Sequence, residues 1–179
     1  MRFGQEVQEL PWGPIRHWIA LVSDNVQVAL SGGKPVICVV AGALFDGGAS
    51  AAGASARDRR VLIAERPAGK HMAGRWEFPG GKVAAGESES AALARELREE
   101  LGVAVTASRP FMRLSHEYDD RVVELSLWVV EGFSGDPVGL DSQQLKWVAV
   151  GRLGEEDILE ADAPFVEALQ QAEKDRGAG

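Results

Sequence analysis

Residues 81–103, GKVAAGESESAALARELREELGV, constrain this chain more than any other stretch. Leu93, Leu97 and Leu101 recur every four residues and give one apolar helical face. Glu96, Glu99 and Glu100 stand at i, i+3 and i+4, an arc of about 100° on another face. Ser88 suits an N-cap, Glu89 complements the dipole in the first turn, and Gly102 suits the residue that stops the helix. The spacing therefore predicts a helix over Ser88–Leu101. Carboxylates packed this closely repel one another. A hard divalent cation removes that cost, because Mg²⁺ and Mn²⁺ favour oxygen ligands and Mg²⁺ is commonly shared between carboxylates and substrate phosphates. The ordinary alternative for this helix taken alone is a solvated acidic face balanced by Arg95 and Arg98.

The approach to the helix adds to the metal reading. Trp76-Glu77-Phe78-Pro79-Gly80-Gly81-Lys82 reads as a short strand running into a tight turn. Glycines there let backbone come close to a metal or phosphate and turn a carbonyl inward. Glu87, just before the helix, is placed to pair with Arg95 and tie the loop down.

The rest of the chain sets the frame. Its 179 residues carry 19 Lys+Arg against 27 Asp+Glu, a formal charge of −8 and a pI near 4.9. That length suits one domain. The acidic balance argues against a nucleic acid polymer as partner, while a metal still allows a phosphorylated small molecule. No apolar run approaches the ~18 residues of a membrane helix, and Cys38 alone excludes an internal disulfide or a cysteine-cluster zinc site. A cytoplasmic location is expected. Residues 1–34 read as an N-terminal extension, foremost a loosely packed or flexible arm, with a short amphipathic helix over Ile15–Leu30 as the other reading, and residues 35–176 as the globular domain. Strands are expected at Pro35–Phe45, Arg60–Arg66, Arg75–Phe78, Val103–Ser115, Arg121–Phe133 and Gln144–Val150, with a second helix at Ala163–Lys174. Asp46–Asp58, rich in Gly, Ala and Ser, reads as a flexible loop. Trp128 and Trp147 read as core, and Cys38 as a small buried apolar residue.

Gly81, five residues, Glu87, seven residues, then Arg95-Glu96-Leu97-Arg98-Glu99-Glu100-Leu101-Gly102-Val103 resemble the full Nudix box, G-x5-E-x7-R-E-U-x-E-E-x-G-U. With ordinary residue usage, a chance match is on the order of 10⁻⁷ or less. Ala64-Glu65-Arg66-Pro67, Lys70-His71-Met72-Ala73-Gly74 and Trp76–Lys82 extend the resemblance to the MutT-type nucleoside triphosphate pyrophosphohydrolases, over about Pro35–Leu169. The resemblance implies an α/β fold, the Nudix α/β/α sandwich with a mixed β-sheet. It implies hydrolysis of a nucleoside triphosphate to the monophosphate and pyrophosphate, with Mg²⁺ or Mn²⁺ neutralising the phosphates. Oxidised or modified nucleotides such as 8-oxo-dGTP are the expected substrates, which makes nucleotide-pool cleaning in DNA repair and replication the expected role.

Carried over position by position, Glu96, Glu99 and Glu100 are implied as catalytic metal ligands, with the carbonyl of Gly80 in the same shell and Glu96 as general base. Asp141, in the loop after the strand ending near Phe133, stands where the family usually has Glu and is implied as a further ligand. Arg66, His71, Glu77, Phe78, Pro79, Gly80, Tyr118, Arg121 and Asp162 are implied around the nucleotide. Asp162 is expected to read the base edge, to cap the last helix, or both. Gly81, Glu87, Arg95 and Gly102 hold the motif's shape. The expected partner is a small-molecule nucleotide, with no nucleic acid polymer and no membrane, and the chain is expected as a monomer or homodimer. Two other readings compete: a Nudix hydrolase of a dinucleoside polyphosphate or nucleotide sugar, and a catalytically silent nucleotide-binding module.

Overall fold

The computed structural model describes residues 19–20, 33–47, 59–70 and 72–177. The strands are β1 (Ile19–Ala20), β2 (Val36–Leu44), β3 (Arg60–Glu65), β4 (Trp76–Glu77), β5 (Gly80–Lys82), β6 (Ala104–Glu117), β7 (Val122–Ser134) and β8 (Leu145–Ala149). The helices are α1 (Glu89–Leu101), a 3₁₀ turn at Val150–Glu155, and α2 (Ala163–Gly177).

Two sheets carry the fold. The five-stranded sheet runs β1-β6-β7-β2-β5 and is mixed: β2 lies parallel to β7, and its other pairings are antiparallel. The second sheet runs β4-β3-β8, antiparallel throughout. The expected sheet is thus divided in two, with a bridge from Phe45 to Val61 at the seam.

β2, VICVVAGAL, is apolar along its length because both its faces are covered. On one face Val40 and Leu44 meet Leu93, Leu97 and Leu101 of α1. On the other, Ala41, Ala43 and Phe45 share a core with Phe165, Val166 and Leu169 of α2. The two helices therefore cover opposite sides, as the sandwich requires. A Cβ at Gly42 would lie 3.2 Å from the ends of Leu93 and Leu97, so α1 packs directly on the β2 backbone there.

The caps of α1 are the expected ones. Ser88 Oγ accepts from Ala91 N–H at 3.2 Å, and Gly102, at φ 71°, donates its N–H to Arg98 O at 3.0 Å. Glu89 does more than complement the dipole. Its carboxylate accepts from Arg113, Ser126 and Trp128, which fixes the first turn of α1 to β6 and β7. Trp128 thus packs in the α1 core with its indole N–H used, and Trp147 packs in the same core.

Three expectations change. Ile19–Ala20 form a strand paired with Leu114 and Ser115, so the helix expected over Ile15–Leu30 is not formed there; an apolar stretch beside the open edge of β6 gains ladder hydrogen bonds instead. The rest of residues 1–32, and the loop over residues 48–58, lie outside the described residues. Residues 80–82, read as part of a turn, are a strand on β2. Cys38 is half-buried rather than buried, with its Sγ 3.9 Å from Glu124 Oε2. Among the described residues, no helix is long and apolar enough to cross a membrane.

Candidate active site

The glycine turn and α1 meet through β2. Gly80 and Gly81 pair with Ala41 and Val40, and Gly42 N–H donates to Pro79 O at 2.9 Å. Gly80 has φ 153°, and a Cβ there would lie 2.1 Å from Val40 O, so only glycine fits. Gly81 leaves room for a side chain from α1: a Cβ there would lie 2.4 to 2.6 Å from the carboxyl atoms of Glu96. Gly80 N–H donates to Glu100 Oε2 at 3.2 Å. Strand β5 thus seats the Glu96 carboxyl against Gly81 and the Glu100 carboxyl on the Gly80 N–H.

Arg95 supplies the counter-charge. Its Nε and Nη2 donate to the two oxygens of Glu87 at 3.0 and 2.9 Å, the tie expected between loop and helix. Nη2 also donates to Lys82 O, and Nη1 reaches Glu96 at 2.7 Å and Glu99 at 3.3 Å. The Arg95 guanidinium holds the Glu87 carboxyl below the usual carboxylate range. Glu99, with its side chain 60% exposed, stands at the rim.

Glu100 is the electrically perturbed member. Burial pushes its carboxyl up to about 7, and the negative charges of Glu77 and Glu96 add to the shift. The Gly80 N–H and the Lys70 charge act against it. Glu77 is likewise raised, first by burial, with Arg66 and Lys70 opposing. Crowded, partly desolvated carboxyls are a hard-oxygen donor set, which fits a divalent cation. The side chains are not drawn into a finished cage: among the described residues, no three His, Cys, Asp or Glu side chains are grouped tightly enough to hold a metal ion.

The opposite wall comes from β3, β4 and the start of α2. Arg66 pairs with Glu77 through Nη1 and Oε2, and Arg66 N–H donates to Arg75 O at 2.8 Å. Trp76 N–H donates to Asp157 O, and Leu159 N–H donates to Trp76 O, both at 2.9 Å. This lays residues 157–159 along β4 and brings Asp162 to Phe78, whose N–H donates to Asp162 Oδ2 at 3.0 Å. Asp162 is 5% exposed, and burial pushes its carboxyl up to about 7. Its side chain goes to Phe78 and not to the helix start; its main-chain carbonyl accepts from Phe165 and Val166 instead.

Arg66, Glu77, Phe78, Pro79, Gly80, Gly81, Glu96, Glu100 and Asp162 are therefore gathered. Tyr118 and Arg121 form a group of their own at the β6–β7 turn: the guanidinium lies 5.0 Å over the exposed Tyr118 ring, and His116 meets that ring edge-on. His71 lies outside the described residues. Asp141 is exposed in the β7–β8 loop, with its N–H donating to Gln143 Oε1 at 2.8 Å. Sequence reasoning passed over two residues. Lys70 stands in the sequence only as part of a flank, although its charge acts on both Glu77 and Glu100. Gln143 carried no signal at all.

The family model of the NUDIX domain matches residues 51–168, and the chain belongs to the Nudix family. Among curated relatives, it is 35% identical over 114 residues to the 8-oxo-dGTP diphosphatase of Escherichia coli, covering 64% of this chain and 88% of the relative. It is 39% identical over 113 residues to the CTP pyrophosphohydrolase of the same organism, covering 63% of this chain and 84% of that one. Among solved structures, the E. coli ORF135 protein superposes with a TM-score of 0.69 at 34% identity, covering 83% of this chain and 99% of that one. Nudix hydrolases generally use a divalent metal, in keeping with the donor set on α1.

Proposed function

We propose that this chain is a Mg²⁺-dependent nucleoside triphosphate pyrophosphohydrolase. It releases the monophosphate and pyrophosphate, and acts on oxidised or modified nucleotides such as 8-oxo-dGTP. The observation that carries the reading is the seating of the Glu96 and Glu100 carboxyls along Gly80–Gly81. The names of the two relatives, an 8-oxo-dGTP diphosphatase and a CTP pyrophosphohydrolase, support a triphosphate over a nucleotide sugar or dinucleoside polyphosphate. A silent binding module has no use for crowded carboxyls.

Glu96, Glu99, Glu100, the Gly80 carbonyl and Asp141 would hold the cation; Mn²⁺ is a workable substitute. The cation would neutralise the phosphates and orient the chain of anhydrides. Glu96 takes the proton from the attacking water, and the hydrogen bond from Arg95 Nη1 holds that carboxylate in place. Arg66, paired with Glu77, is assigned to the nucleotide on the family's pattern. His71, Tyr118 and Arg121 are assigned to the nucleotide on the family's pattern. Phe78 and Asp162 take the base: the carboxyl, half-protonated near neutral pH, accepts from or donates to the base edge. The reading carries with it a cytoplasmic enzyme, in keeping with a nucleotide substrate.

The test is a substrate panel in Mg²⁺: 8-oxo-dGTP, dGTP, CTP, 5-methyl-dCTP, ADP-ribose and a dinucleoside tetraphosphate. The expected result is highest kcat/KM on a modified triphosphate, with pyrophosphate as product. Preference for ADP-ribose or the dinucleotide, or release of orthophosphate, would overturn it.

A further inference from the structure

We infer that Gln143 is a positioning residue that locks the Asp141 loop to α1 at Glu100. The inference rests on the reading of Asp141 given above.

The loop between β7 and β8 closes on the last turn of α1. Val138 N–H donates to Leu101 O at 3.0 Å, and Leu140 N–H donates to Glu100 O at 2.9 Å. These contacts satisfy carbonyls that a helix end otherwise leaves open. The Gln143 side chain then makes a two-ended bridge. Its Nε2 donates to the Glu100 carbonyl at 3.0 Å, and its Oε1 accepts from the Asp141 N–H at 2.8 Å. One half-buried amide therefore joins the residue that reaches Gly80 to the residue that carries the loop's acid.

Two further features show how tightly that path is held. Ser142, between Asp141 and Gln143, has φ 63°, the left-handed region that a non-glycine residue adopts only when its surroundings dictate it. Gly139 lies so close beneath the bridge that a Cβ there would sit 2.1 Å from Gln143 O. Leu140, Asp141 and Ser142 are exposed and have no core of their own to define them. The amide, with the two main-chain bonds to α1, replaces that missing core. An aspartate carboxyl stands only two torsions from its backbone, so its position is set by where that backbone is fastened.

The test uses the full chain and the best substrate of the panel in saturating Mg²⁺. Gln143→Met keeps the length without either hydrogen bond. Gln143→Glu keeps the acceptor for Asp141 but turns a carboxylate oxygen on the Glu100 carbonyl. Both should lower kcat by about 10- to 100-fold with little change in nucleotide KM. Amide exchange at Leu140 and Asp141 should quicken by about 10-fold in Gln143→Met, and at Leu140 in Gln143→Glu. The kcat loss should not add to that of Asp141→Asn in the double variant, because Gln143 acts through Asp141. Unchanged exchange and kcat in Gln143→Met overturn the inference, and so do additive losses. A silent Asp141→Asn with quickened exchange in Gln143→Met would remove Asp141 from the reaction, and the positioning role with it, while leaving nucleotide hydrolysis intact. A chain that hydrolysed no nucleotide would sink the functional reading instead, and the exchange rates would still decide the lock.

Discussion

Phe78 donates its backbone N–H to Asp162 Oδ2 at 3.0 Å, joining the residue two before Gly80 to the residue that opens α2. The bond crosses from the segment between β4 and β5 to the start of the far helix, so the approach to Gly80 is fastened to α2. It also buries a carboxyl beside Glu77, whose charge adds to the upward shift.

That burial sets a pH dependence of stability. The folded pKa of Asp162 is raised to about 7 from an ordinary 3.8, with burial as the first cause. Below the ordinary value both states hold the proton and nothing changes. Between about pH 4 and pH 7 the unfolded chain releases it while the folded chain keeps it, so stability falls as pH rises. Asp162→Asn keeps an acceptor for Phe78 and removes the titration. Its melting temperature should fall less than wild type from pH 4 to pH 8 and exceed wild type at pH 8. Parallel pH profiles for the two proteins would contradict the shift.

Arg59 and Glu173 form a buried pair, Nη1 to Oε1 at 2.6 Å, with side chains 5% and 11% exposed. Arg59 also lies 3.9 Å from the Phe45 ring centroid. Glu173→Ala strands the guanidinium among apolar groups and should cost about 3–5 kcal/mol in urea unfolding. Arg59→Met with Glu173→Met should recover most of that loss, since among the described residues Arg59 Nε and Nη2 and Glu173 Oε2 have no hydrogen-bond partner even in the intact pair. A loss below about 1 kcal/mol for Glu173→Ala would mean that the site admits water.

Residues 1–33 hold no part of the Nudix box, and their described contact is the two-residue strand Ile19–Ala20 on β6. Deleting them should leave a folded enzyme with kcat/KM near that of the full chain. Insoluble or inactive protein would show that the segment completes the core.

Local chemistry was readable ahead of the structure, and long-range partnership was not. Ser88, Gly102 and the Leu93-Leu97-Leu101 stripe act within a few positions of themselves, so the pattern alone located α1 and its caps. Glu87 and Arg95 are close enough in sequence for their tie to be foreseen. Gly80 and Gly81 were recognisable as close-approach residues, but the surfaces they approach, Val40 and the Glu96 carboxyl, come from other elements. The split into two sheets depends on β3 choosing β8 and β4, pairings that no local period encodes. Ile19–Ala20 misled because an apolar run of mixed period takes the form its neighbour offers, here an open strand edge. Gln143 was invisible because its amide matters only once the loop has landed on α1. Asp162 left capping and base reading both open, and the answer, a bond to Phe78, required residues 157–159 to run along β4.

The central claim is that the glutamates seated along Gly80 and Gly81 carry cation-dependent hydrolysis. The most direct test is turnover of Glu100→Gln on the preferred triphosphate across a Mg²⁺ titration, with the melting temperature measured alongside. Gln keeps an oxygen for the Gly80 N–H and loses the charge. The account predicts kcat lower by at least about 10²-fold at saturating Mg²⁺, with the melting temperature unchanged or higher. Turnover near wild type with the same Mg²⁺ dependence would contradict it.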